Sequence, residues 1–179
     1  FVWPSEASLV IDRGGIKEAI GGCQRKVFWR FKRIKPTNRT SPRSLRVLEL
    51  GNVIEGLEVD KYERTKVLIA KKPKFQSHKL KMSCEADAFI FEEGVGIVGV
   101  DIKSFGGYHA AKEIQGSAKE PGKPKESHLL QMVLYLHITK LPQCRIVYIN
   151  RENMSSKEFA LRLDKTMRVC VQDLDSGTK

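Results

Sequence analysis

The chain has 179 residues, enough for one compact domain with a continuous core. Hydrophobic residues make up 41% and charged residues 30%, and no apolar run approaches the roughly 18 residues of a membrane span, so a helical membrane protein is excluded and a soluble, intracellular one is expected. Lys and Arg total 32 against 21 acidic residues, a net charge of +11, which favours a polyanionic partner such as nucleic acid. Cys23, Cys84, Cys144 and Cys170 are far apart, with no Cys-x-x-Cys pair; free thiols in a reducing compartment are expected rather than a zinc site. The opening at Phe1 carries no signal-type apolar segment, and the absence of an initial methionine suggests an upstream part that was trimmed or omitted.

In chain order, residues 5–31 read as helical, with Ser5 a cap and a second helix after the Gly14-Gly15 break. Between Arg25 and Arg46 nine bases occur with no acid, a strip suited to phosphates and equally to a solvated face. Residues 35–42 have the composition of a loop, and 44–62 return to helical spacing through Leu45, Leu48, Val53, Ile54 and Leu57. The period then changes: 67–69, 82–91 and 95–102 are short and β-favouring, and Glu92-Glu93-Gly94 is a turn that makes the last two a hairpin. Residues 106–125 predict a mobile loop, 127–139 a strong helix, 145–150 a strand, and 159–163 a weaker strand before a terminal helix. Helix, three strands, helix, strand predicts a single α/β domain with a central mixed sheet flanked by helices.

The chemistry concentrates where Cys84-Glu85-Ala86-Asp87 enters the hairpin and Gly99-Val100-Asp101-Ile102-Lys103 leaves it, so that two acids arrive on adjacent strands. Hydrolysis of a phosphodiester with Mg²⁺ or Mn²⁺ needs hard oxygen ligands, which carboxylates supply. Alternation puts Asp101 and Lys103 on one strand face, while Ile102 turns its side chain away and leaves its carbonyl as a further ligand. On the helix at 127–139, Gln131 and Tyr135 are four apart and share a face.

Four blocks in this order resemble the PD-(D/E)XK nucleases, in particular the RecB-like branch that includes CRISPR-associated and phage exonucleases: Gly51-Asn52-Val53-Ile54-Glu55, Asp87, Asp101-Ile102-Lys103, and Gln131-Met132-Val133-Leu134-Tyr135. The resemblance implies metal-dependent cleavage of DNA, with an exonuclease favoured. It implies Glu55, Asp87, Asp101 and the Ile102 carbonyl as metal ligands, Lys103 as the group assisting the nucleophile, and Gln131 and Tyr135 as residues orienting Lys103 or substrate phosphate. Arg25, Lys26, Arg30, Lys32 and Arg33 would contact the nucleic-acid backbone, and Phe28, Trp29 and Phe31 would either stack on bases or pack in the core. Two alternatives stay open: a non-catalytic nucleic-acid-binding module of the same fold, and an RNA endonuclease.

The sequence departs from the pattern at Glu55, where the branch frequently has His, and at Cys84, where glycine is common. Some relatives bind an iron–sulfur cluster through one early and three late cysteines; Cys23 resembles the early one but Cys170 has no companions, so no cluster is expected. Residues 116–123 lack phosphate-loop spacing, which argues against an ATPase. His128, one turn before Gln131, reads as an ordinary surface or core histidine.

Overall fold

Alternation along a few central strands sorts the apolar side chains into two layers, and everything that positions the site follows from which face a residue takes. The computed structural model describes residues 3–6, 8–35, 37–117 and 120–175. A 3-10 turn (Pro4–Glu6) leads to β1 (Ser8–Arg13), β2 (Ile16–Gly21), α1 (Gln24–Phe31) and α2 (Pro42–Arg64). Then come β3 (Leu68–Lys71), β4 (Lys74–Ser77), β5 (Met82–Glu85), β6 (Ala88–Glu92) and β7 (Gly96–Phe105). The chain closes with α3 (Tyr108–Gln115), α4 (Glu126–Thr139), β8 (Gln143–Asn150), β9 (Ser156–Leu163) and β10 (Val169–Asp173).

The main sheet runs β10-β9-β8-β7-β6-β3, antiparallel throughout except for the parallel pair β7/β8. That parallel step is bridged by α3 and α4, as a crossover between parallel strands requires. One face of the sheet, through Val98, Val100, Ile102, Val147 and Ile149, packs on Ile54, Val59 and Tyr62 of α2. The other, through Phe105, Cys144, Ile146, Tyr148 and Phe159, packs on Met132, Tyr135 and Leu136 of α4 and Ile114 of α3. The expected α-β-β-β-α-β core, with a mixed sheet between helices, is thus the observed one.

The local starts and stops have plain causes. Ser41 accepts the Ser44 amide at 3.1 Å and Pro42 fills the first turn of α2, which needs no amide there. Gly122 approaches α3 so closely that a Cβ would collide with the Ile114 carbonyl oxygen. Among the described residues no helix is long and apolar enough to cross a membrane.

Several expectations need correction. Residues 8–21 are a hairpin, not helix: Val10, Ile11, Ile16 and Ile20 favour strand, and Gly14 and Gly15, both at positive φ (66° and 90°), make the two-residue turn between Arg13 and Ile16. The Gly-Gly pair is a hairpin signal rather than a helix break. The run 82–91 is two strands, interrupted at Ala86-Asp87. The loop expected at 106–125 contains α3, and the terminal helix is the edge strand β10, whose Val169 and Val171 suit pairing with β9.

Ile146 is fully buried at the centre of β8 beneath α4. Ile146→Ala should lower the unfolding free energy by about 2–5 kcal/mol, whereas Val171→Ala on the exposed edge should change it by roughly 0.5 kcal/mol or less. Urea unfolding of both variants checks the contrast.

Candidate active site

β7 carries Asp101 and Lys103 on the face turned to α4, and Ile102 on the face turned to α2. Asp101 is 1% exposed, and a carboxylate that deep must be paired. Its Oδ1 accepts from Gln131 Nε2 at 2.8 Å and its Oδ2 meets Lys103 Nζ at 2.6 Å. The Gln131 amide also donates to the Tyr135 hydroxyl at 3.0 Å, and that hydroxyl donates to the Glu85 carbonyl at 2.6 Å. The Gln-x-x-x-Tyr pair therefore fixes Asp101 and the end of β5, and meets Lys103 only through the Asp101 carboxylate that both contact.

Asp87 sits in the break between β5 and β6, and the break exists because a second bend faces it. Lys72, at φ 47°, and Pro73 kink the β3–β4 side. Across the kink the Lys72 amide donates to the Asp87 carbonyl at 3.0 Å and the Ala86 amide to the Pro73 carbonyl at 3.2 Å. The Asp87 amide donates to the Val100 carbonyl at 3.1 Å, and Asp87 Oδ2 accepts the Ile102 amide at 2.6 Å. Asp87 is thus bound onto the backbone of the residue between Asp101 and Lys103. Bends of this kind re-aim side chains next to active sites.

Glu55 comes from α2 and pairs through Oε1 with Lys72 Nζ at 3.0 Å. Lys72 went unread in the sequence because it lies in a turn outside any motif; only its position opposite Asp87 in the folded ribbon reveals it. Gly51, one turn earlier, lies over Ser104, where a Cβ would make only ordinary contact at 3.5 Å. Space therefore does not compel glycine there.

Three acids and two ammonium groups share this region. Burial, then the Asp101 charge, push Asp87 up to about 7, against the pull of Lys103. Asp101 is also raised, by burial first, although Lys103 and Gln131 oppose it. Burial alone would lower Lys103, but Asp101 and Asp87 outweigh it and hold the ammonium protonated. The Asp101 charge raises Asp87 and the Glu55 charge raises both, which marks a place short of positive charge.

A divalent cation is the group the resemblance implies, and the donor chemistry fits: hard oxygens, and at Asp101 Oδ2 a buried oxygen whose Lys103 contact lacks hydrogen-bond geometry. Among the described residues, however, no three His, Cys, Asp or Glu side chains converge closely enough to enclose an ion. Each acid is turned to its own partner, Glu55 to Lys72, Asp87 to the Ile102 amide, Asp101 to Lys103 and Gln131.

His128 is a half-buried histidine beside the site. Tyr148 pairs in register with Lys103 across β7/β8, and its ring stacks on His128 with centroids 5.6 Å apart. The Tyr148 hydroxyl accepts the Lys125 amide at 3.1 Å and shares a hydrogen bond with His128 Nδ1 at 2.7 Å. Burial, then Lys103 and Lys125, lower His128 to about 4 and keep it neutral.

Of the basic strip, Arg25, Lys26 and Arg30 lie on α1 and Lys32 and Arg33 in the turn after it. Phe28 and Trp29 are 55% and 47% exposed, so neither is a core residue; the Phe31 side chain lies outside what is described. Cys84 is fully buried against α4, its thiol pushed by burial to about 11, and the position that resemblance gives to glycine thus holds a packed core residue.

No family model matches the chain, and no curated protein matches it. Among solved structures it is similar to the alkaline exonuclease LHK-Exo from Laribacter hongkongensis in complex with dAMP, at TM-score 0.51 and 14% identity, over 86% of this chain and 70% of that one. Another structure of LHK-Exo gives TM-score 0.49 and 13% identity over 82% and 63% of the two chains. The protein SSO0001 gives 0.48 and 19% over 76% and 62%. The chain thus spans less than two thirds of the length of these last two. At such identities the likeness concerns the fold alone, a central mixed sheet flanked by helices.

With divalent metal chelated, the pH dependence of stability follows from Asp87. Its folded pKa of about 7 lies well above the ordinary carboxylate range, so the native state holds the proton more tightly; the contribution is full below about pH 4 and is lost as pH rises through about 7. Asp87→Asn carries no such proton. In urea unfolding with EDTA, the parent should lose stability relative to Asp87→Asn between about pH 4 and 7, and a difference constant across that window would contradict the assignment.

Proposed function

We propose that the chain is a metal-dependent nuclease that hydrolyses phosphodiester bonds of DNA, acting as an exonuclease. The observation that carries the reading is the buried Asp101 carboxylate clamped between Gln131 and Lys103, with Asp87 bound to the intervening Ile102 amide. Glu55, Asp87, Asp101 and the Ile102 carbonyl would hold Mg²⁺ or Mn²⁺, which when bound polarises a phosphate oxygen and lowers the pKa of water.

The other steps belong to the chain's own side chains. Lys103, protonated and a single side chain from Asp101, donates to the phosphate oxygen on which negative charge develops. Gln131, itself anchored by Tyr135, keeps Asp101 from rotating, and such supporting contacts are typically worth about 10–100-fold in activity. Arg25, Lys26, Arg30, Lys32 and Arg33 hold backbone phosphates, so binding weakens with salt.

One observation favours a second reading, a nucleic-acid-binding module without catalysis: the described acids do not converge as a ready-made metal cage. Cleavage of labelled single- and double-stranded DNA and of RNA, in Mg²⁺, Mn²⁺ and EDTA, separates the two. The nuclease should cut DNA only with metal, with Asp101→Ala and Lys103→Ala reduced at least about a hundredfold and Gln131→Ala less. Cutting of linear but not closed circular DNA marks an exonuclease. Binding without cleavage in every metal would establish the module, and cleavage confined to RNA would move the substrate.

A further inference from the structure

The C-terminal end of α1 is closed by a Schellman motif: the Arg33 amide donates to the Arg30 carbonyl at 2.9 Å and the Ile34 amide to the Trp29 carbonyl at 3.0 Å. This pairing sets Ile34 beside Trp29, as the motif's hydrophobic contact requires. Two features bear on what this end of α1 can bind. Ile34 and Trp29 stay 56% and 47% exposed instead of burying each other. The left-handed position that favours glycine is taken by Arg33, at φ 55°. Lys66 after α2 and Lys140 after α4 take the same conformation, at φ 60° and 59°, so the backbone cost at Arg33 is that of an ordinary non-glycine cap, and what it adds here is a cation on the cavity wall.

These residues line a cavity of about 740 Å³, whose walls bring Lys26, Arg30, Arg33 and Lys35 against a single acid, Glu6. Glu6 is itself ion-paired to Arg30. The cavity falls within the roughly 300–1,000 Å³ that encloses groups of small-molecule size, a base with its sugar among them. Its occupant must therefore present flat apolar surface and negative charge together. A paired duplex offers phosphates but keeps its base faces stacked inward, whereas an unpaired strand offers both.

The turn Pro4–Glu6, which forms one wall, packs on α4 and β5, the elements that carry Gln131 and Glu85. The groove is thereby tied to the framework of the active site.

We propose that this groove takes the unpaired bases of a single-stranded polynucleotide, with Trp29 as the stacking platform, Ile34 as the adjoining apolar surface, and Lys26, Arg33 and Lys35 on the phosphates. The identity of the polymer rests on the nuclease reading; the binding itself does not require cleavage. A substrate with a single-stranded end or a frayed terminus follows as the preferred class.

Fluorescence anisotropy in EDTA, where metal-dependent cleavage cannot interfere, tests it with three labelled probes of equal length: a DNA strand, a blunt duplex and an abasic strand. The parent should bind the strand about tenfold or more tighter than the other two, since each stacked base contributes roughly 1–3 kcal/mol, or about 5- to 150-fold. Trp29→Ala should bind the intact strand as weakly as the parent binds the abasic one, and Trp29→Phe should retain most of the affinity. Arg33→Gly should raise the thermal midpoint, because the backbone strain is relieved, and yet weaken strand binding; a merely structural residue would not move the two in opposite senses. Equal binding of all three probes, or no effect of Trp29→Ala, would overturn the groove, as would no binding at all. The Asp101→Ala comparison in metal, run on the same preparations, reports separately on the nuclease reading.

Discussion

A carboxylate in the dry centre of a β-sheet is the constraint around which this protein is arranged. Removing Asp101 from water costs several kcal/mol unless partners replace the lost solvent, and those partners come from two elements distant in sequence, Lys103 on its own strand and Gln131 on α4. The demand fixes α4. It must lie over β7 with the Gln131 and Tyr135 face turned inward, and the otherwise apolar helix achieves that by packing Met132, Tyr135 and Leu136 on Cys144, Ile146 and Tyr148. Hydrophobic burial holds the helix in place, and the polar pair uses that placement.

The same network reaches the ribbon of β4 and β5. Phe75 of β4 meets the Tyr135 ring edge-on, with centroids 5.5 Å apart, and stacks near Phe89 at 6.1 Å. It covers the Gln131–Tyr135–Glu85 chain with aromatic surface, which strengthens hydrogen bonds by excluding water. The kink that lets the ribbon fold over α4 is also what takes Asp87 out of the ladder and sets it on the Ile102 amide. Covering one acid and delivering the second are therefore one event.

Those parts that rest on short-range periodicity were legible in the sequence. The alternation of Asp101, Ile102 and Lys103, the i,i+4 pair Gln131 and Tyr135, and the order of the core elements all follow from strand and helix periods, and the fold conforms to them. Features that depend on which segments pair were not. The β1/β2 hairpin competes with a helical reading of the same residues, and β10 gains its form only by lining up on β9. Lys72 belongs to no motif, and reaches Glu55 only because β3 and α2 meet. The direct contact of Gln131 with Asp101 was not legible either, because helix spacing says which face a side chain takes but not which strand residue it touches.

The direction of the hydrogen bonds carries the argument one step further than distances do. The Tyr135 hydroxyl has a single proton, and the Glu85 carbonyl, a pure acceptor, takes it. The hydroxyl must then accept from Gln131, whose second amide proton goes to Asp101 Oδ1. Oδ1 is consequently an acceptor in every protonation state, and any proton that the raised pKa brings to Asp101 sits on Oδ2. That is the oxygen facing Lys103. Proton and ammonium thus meet at one oxygen, and a backbone carbonyl on β5 decides which oxygen of a β7 side chain that is.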